Sequence, residues 1–169
     1  MKAVQFYKEE IPNNNGVTLS EMMKFSPDRM ESDHGYIQWM FPSNEASMFN
    51  VDAPLFTPEE SEVFKSDAAL VQKISASFTK FLEEFLGLSL QEGEIVELEP
   101  TECRPDPQWW MRAFNHNMLR ITRILKCLRL VGLEENAIIL NNYLQSQDCF
   151  SDNTKSYWSN AVFGPLWDN

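Results

Sequence analysis

Residues 108–132, QWWMRAFNHNMLRITRILKCLRLVG, limit what this chain can fold into more than any other stretch. They hold five of its fourteen Lys and Arg (Arg112, Arg120, Arg123, Lys126, Arg129) and no Asp or Glu, although the formal net charge is -11. Wound at about 100° per residue, Trp110, Phe114, Met118, Ile121, Ile124, Leu125 and Leu128 form a broad apolar stripe. Trp109, Arg112, His116, Arg120, Arg123 and Cys127 fall roughly opposite. A helix with one greasy side and one cationic, aromatic side needs neighbours on both, which places it in the middle of an all-helical domain. Asp106 caps it, Pro107 opens it and Gly132 closes it.

A chain of 169 residues with 43% hydrophobic content fits a single domain, residues 1–169, that can bury a core without disulfide or metal staples. Its pI near 4.6 argues against nonspecific binding to nucleic acid or anionic membrane, because the summed field repels polyanions. No window approaches the roughly 18 apolar residues of a membrane span, so any membrane contact is peripheral. Three cysteines without C-x-x-C spacing, behind a polar MKAVQFYKEE start, predict a reduced, intracellular, cytoplasmic protein. Two histidines and three cysteines show no ligand interval, and there is neither a G-x-S-x-G nor a glycine-rich phosphate loop. Neither metal nor cofactor is expected.

Along the chain, a short helix is predicted within residues 17–25, capped by Asn15 or Thr18, and a restart at Ser26 with Pro27 in its first turn. DHGYIQWMFP, residues 33–42, sets five large apolar or amphipathic side chains in six positions and predicts a buried helical turn or two, with His34 and Gln38 projecting the same way. Residues 43–56 read as irregular. Thr57, Pro58 and Glu60 combine cap, first-turn proline and capping-box carboxylate, opening a helix that breaks near Ser66 and Asp67 and ends at Gly87. Residues 87–107 form an acidic connector with a short extended piece near residues 94–98. A helix at residues 134–147, a short one from Ser151 or Asp152, and a tail, residues 163–169, that folds back complete the chain. The expected class is all-α: a compact bundle of about five to seven helices around a central helix at about 107–131, joined by irregular loops. Leu130 and Leu133, with the tail aromatics, serve either a dimer surface or the core, so the oligomeric state stays open.

HGYIQWMFP at residues 34–42 and NHNMLRITRILKCLRLVGL at residues 115–133 resemble the two signature blocks of the opioid growth factor receptor conserved domain. FYKEEIP, NGV and FLEEFLGLSL, beginning at Phe6, Asn15 and Phe81, follow the same pattern in order. The resemblance implies a mainly helical domain of an atypical receptor for an enkephalin-type pentapeptide. Such receptors are unrelated to the seven-helix opioid receptors and act on cell growth from a nuclear and perinuclear location; some members are membrane-associated. Long animal members carry basic nuclear-targeting segments and, in some, C-terminal repeats; the present sequence has no basic run. The resemblance assigns peptide binding to no particular residue.

Candidates therefore come from residue chemistry: His34, Tyr36, Gln38, Trp39, Arg112, His116, Arg120 and Arg123. The arginine forks suit a carboxylate and the aromatics suit an aromatic-bearing peptide, which predicts a non-enzymatic domain binding a small peptide or protein partner. Alternatively, the chain is an enzyme on an anionic substrate, with His34 or His116 as acid or base and Arg120 and Arg123 as clamps. That reading needs an imidazole at a solvent-reachable pocket that also holds an arginine. A third reading makes the arginines structural, paired with the five glutamates of residues 91–102 or with neighbouring helices.

Overall fold

The computed structural model describes residues 1–112 and 115–168. Phe114 of the predicted apolar stripe and Asn169 of the tail lie outside the described residues. The chain runs through α1 (Lys2–Tyr7), α2 (Leu19–Met22), α3 (Pro27–Ser32), α4 (Ile37–Met40), α5 (Pro58–Ser66) and α6 (Ala68–Lys80). A π-helical turn (Phe81–Phe85) leads to β1 (Leu88–Gln91) and β2 (Glu94–Glu97), then a 3-10 turn (Trp109–Met111), α7 (Asn117–Leu130), α8 (Glu134–Gln145) and α9 (Asp152–Phe163).

The all-α expectation is overturned. The described residues form nine helices and a two-stranded antiparallel sheet, a mixed α/β architecture rather than an all-α bundle of 5–7 helices. The sheet lies in the segment read as an acidic connector, with Leu88 opposite Glu97 and Gln91 opposite Glu94. Glu92 and Gly93 join the strands with φ of 50° and 80°, the two positive values that a tight two-residue hairpin turn requires. Leu88 is fully buried, β2 packs against α8, and the Tyr143 hydroxyl donates to Glu97 Oε1 at 2.6 Å.

The central helix is also shorter than the expected 107–131: α7 starts at Asn117. The fully buried Trp110 donates its indole Nε1 to the Leu86 carbonyl at 2.8 Å, which pulls the 3-10 turn out of line. Asn115 then restarts the chain, its Nδ2 donating to the Trp110 carbonyl at 3.0 Å and its Oδ1 accepting the Asn117 N–H at 2.9 Å.

Local capping explains most of the other boundaries. Thr18 and Glu21 close a reciprocal capping box on α2, Thr57 accepts from Glu60 N at 3.2 Å, and Asp67 accepts from Ala69 N and Leu70 N to start α6. Glu60 departs from its predicted capping-box role: buried, it reaches across to accept Val4 N at 3.1 Å in the first turn of α1. Gly87 has φ +65, and a Cβ there would meet the Pro107 carbonyl oxygen at 2.6 Å, so the π-helical turn can end only on glycine.

Packing centres on α7, which lies against α8 and α9. Phe150 stacks on Trp110 with ring centroids 5.8 Å apart and meets Trp158 edge-on at 4.8 Å. A second device recurs through the molecule: helix C-termini, whose last carbonyls lack partners within the helix, are held by cations from elsewhere. Lys73 Nζ donates to Tyr7 O at the end of α1, Lys80 Nζ to Phe25 O after α2, and Arg129 Nη1 to Ala161 O and Gly164 O at the end of α9, each within 2.9 Å. Arg104 does the same for Glu83, Glu84 and Phe85 along the π-helical turn.

Candidate functional site

The segment after α4 leaves the core as a closed loop. Ser43 and Leu55 form a parallel bridge, and Phe56 N donates to Ser43 O at 2.9 Å. Ser47 Oγ accepts from Phe49 N and Asn50 N, while Asn50 Nδ2 ties the loop to Gly35 O at 3.2 Å. This framework holds Met48 and Phe49 out in solvent, 92% and 85% exposed. Between the loop and α7 lies a groove of about 610 Å³. Ile37, Met48, Phe49 and Leu119 supply its apolar surface; His34, Gln38, His116, Arg120, Arg123 and Lys126 supply its polar one.

Within the groove, the His34 and His116 rings meet edge to face with centroids 5.2 Å apart, and His116 Nε2 lies 2.9 Å from Glu31 Oε1. Partial burial and the nearby Arg120 charge hold the His116 pKa below its usual 6.5; His34 adds to this and Glu31 opposes it. A depressed histidine pKa means that the unfolded chain binds the proton more readily, so this contribution to stability is intact above about pH 6.5 and is lost as pH falls below it. The melting temperature of the parent protein is therefore expected to drop more between about pH 7.5 and 5.5 than that of His116→Asn, read by circular dichroism. Equal slopes in the two proteins would assign the dependence to another group.

The arginines divide by role. Arg120 is 5% exposed and is a helix cap: Nη1 donates to Met30 O at 2.6 Å, and Nη2 donates to Asp33 O at 3.0 Å and Glu31 O at 3.3 Å, closing the C-terminus of α3. Its Nη1 also reaches Asn117 Oδ1 at 3.4 Å. Arg123 donates Nη1 to Phe41 O at 3.3 Å, just past α4, and burial lowers its pKa. Arg112 lies away from the groove, exposed and bonded to Asp106 Oδ1 at 2.7 Å. None of the hydrogen bonds or ion pairs found for Arg112, Arg120 and Arg123 among the described residues goes to the glutamates of residues 91–102.

The two aromatic candidates are core residues. Tyr36 packs edge-on against Phe25 at 5.8 Å with the Arg120 guanidinium 5.5 Å from its ring, and its buried hydroxyl has no hydrogen-bond partner among the described residues. Trp39 packs on Phe6 and donates Nε1 to Asn14 Oδ1 at 3.1 Å. The structure thus brings His34, Gln38, His116, Arg120 and Arg123 to one groove and leaves Tyr36, Trp39 and Arg112 out of it. Sequence reasoning missed Met48, Phe49, Leu119, Lys126 and Glu45, all of them groove residues. The available signal was the apolar pair Met48 and Phe49 amid turn-forming residues.

Among the described residues no group of three His, Cys, Asp or Glu side chains could hold a metal ion, and no helix is long and apolar enough to cross a membrane.

The model of the opioid growth factor receptor (OGFr) conserved region matches residues 1–162. The chain belongs to this family. It is 33% identical over 138 residues to the opioid growth factor receptor of Mus musculus, covering 78% of this chain and 21% of the receptor. It is 33% identical over 135 residues to opioid growth factor receptor-like protein 1 of Xenopus tropicalis, covering 78% of this chain and 26% of that protein. The OGFr-type chain therefore spans about a quarter or less of the curated relatives it matches. No solved structure matches it. In this OGFr-family member the groove lies between the two signature blocks, with His34, Ile37 and Gln38 from the first and His116 to Lys126 of α7 from the second.

Proposed function

We propose that residues 1–169 act as one non-enzymatic binding domain that recognises a short peptide or protein segment in the groove between α7 and the loop at residues 43–55. One observation carries the reading: an open groove of about 610 Å³ whose apolar side chains, Met48, Phe49 and Leu119, stand in solvent beside cationic groups. Exposed apolar surface concentrated in a concavity marks sites where something else packs. The relatives are named as receptors for opioid growth factor, which supports an enkephalin-type peptide as the first ligand to try. We place the protein inside the cell, a setting supported by its three free cysteines.

Titration with Met-enkephalin and with a scrambled peptide, read by methyl NMR, tests this. The expected result is saturable shifts at the Met48, Leu119 and Ile37 methyls with Met-enkephalin, lost in Leu119→Glu. Indistinguishable responses to the two peptides would remove the enkephalin-specific claim. A second reading, an enzyme on an anionic substrate, is favoured by the contact between His34 and His116 in an open groove with Glu31 alongside. It loses one proposed clamp, because Arg120 gives its donors to carbonyls. Equal hydrolysis of phosphate and carboxylate esters with and without protein would dispose of it.

A further inference from the structure

Three side chains of the groove have hydrogen-bonding or charge capacity that the rest of the fold does not fill. Arg123 makes a single hydrogen bond among the described residues, to Phe41 O, out of the five N–H donors of a guanidinium. Gln38 is 6% exposed, yet its Oε1 has no hydrogen-bond partner among the described residues. The side chain lines the groove, and turning its amide about the last torsion brings that acceptor within reach of a partner from outside. Among the described residues Lys126 is paired only with Glu45, which reaches over from the loop with its side chain 72% exposed. In a molecule of net charge -11, Arg123 and Lys126 make this edge a local reversal of sign.

Resting on the peptide-groove reading above, we propose that the ligand is an apolar peptide segment bearing a carboxylate, on a side chain or at its C-terminus. The carboxylate seats on Arg123 and Lys126, taking the position that Glu45 holds. With its amide turned toward the groove, Gln38 Oε1 accepts a main-chain N–H of the segment, and the segment's apolar side chains lie along Leu119 and Phe49. The three demands together select the class. A fatty acid supplies the carboxylate and the apolar chain but no N–H for Gln38, and a nucleotide supplies little apolar surface for Leu119 and Phe49. Glu45 then acts as a built-in competitor, an acidic side chain already resting on the cation that the ligand needs.

The experiment uses two fluorescein-labelled, amidated octapeptides with the same leucine and phenylalanine positions, one carrying Asp where the other carries the isosteric Asn, read by anisotropy on the full chain. The Asp peptide is expected to bind about tenfold more tightly at low salt, with the preference shrinking as salt is added. Glu45→Gln should tighten the Asp peptide about threefold and leave the Asn peptide unchanged. Gln38→Leu should weaken both peptides about fivefold, and Lys126→Gln should lower the Asp preference without touching the Phe41 cap. Equal affinities for the two peptides would overturn the carboxylate claim while leaving the peptide groove standing. No binding of either peptide, with unperturbed Leu119 and Met48 methyls, would bring down the groove reading itself. Displacement of the Asp peptide by dodecanoate at similar affinity, undiminished in Gln38→Leu, would give the site to a lipid acid instead.

Discussion

Replacing Arg120 by methionine should lower the unfolding free energy by about 3 to 5 kcal/mol, seen as a shift of the urea midpoint with the slope unchanged. The size follows from what is left behind. Methionine fills the space, but the carbonyls of Met30, Glu31 and Asp33 lose their donors at a buried helix end, and Glu31 loses a charge 3.9 Å away. Removing one partner from a buried set is far worse than removing both, since the acceptors stay desolvated. Arg112→Met supplies the internal contrast: its side chain is 73% exposed and paired with Asp106, so about 1 kcal/mol or less is expected. Equal effects at the two positions would mean that Arg120 is not a cap. Loss of ligand binding in Arg120 variants is then ambiguous, and Lys126→Gln is the cleaner probe of the groove.

Trp158→Ala should destabilise by a similar amount, about 3 to 5 kcal/mol. The indole is fully buried, meets Phe150 edge-on at 4.8 Å and donates Nε1 to Met118 O at 3.2 Å. Truncation opens a cavity between α7 and α9 and removes one donor from the Met118 carbonyl, which keeps its place in the helix ladder and the Thr122 Oγ1 donor at 3.0 Å. Trp158→Phe keeps most of the volume and is expected to cost about 1 to 2 kcal/mol. Unfolding followed by far-ultraviolet circular dichroism separates the two; a phenylalanine variant as unstable as the alanine one would shift the weight from packing to the hydrogen bond.

What could be read in the sequence was what local chemistry decides. Thr57 with Pro58, Asp67 between two helices, Gly87 and Gly132 at positive φ, and the start of α9 at Ser151 each stand where cap and glycine rules put them. Of the hairpin at residues 88–97 only the extended piece at 94–98 was legible, where β2 lies; its partner strand and turn were missed because Glu92 is an unusual residue for a left-handed turn position, so only Gly93 signalled them. The over-long central helix failed for a different reason: Trp110 is drawn off axis by a carbonyl 24 residues earlier, information absent from helical periodicity. At the groove, His34 and Gln38 were legible from their spacing and Arg120 and Arg123 from their charge. Whether a guanidinium would meet carboxylates or the ends of other helices depends on tertiary placement alone, and here Arg120 and Arg123 meet carbonyls of α3 and of the residues just past α3 and α4.

For the first four helices and the turns just after them, those carbonyl contacts all come from residues later in the chain. Lys73 secures Tyr7, Lys80 secures Phe25, Arg120 secures Met30 and Arg123 secures Phe41, across separations of 66, 55, 90 and 82 residues. During synthesis the first four helices leave the ribosome long before the residues that latch them exist. The front of the molecule therefore sets last, and the rate at which it does so is governed by these distant closures rather than by the helices' own propensities.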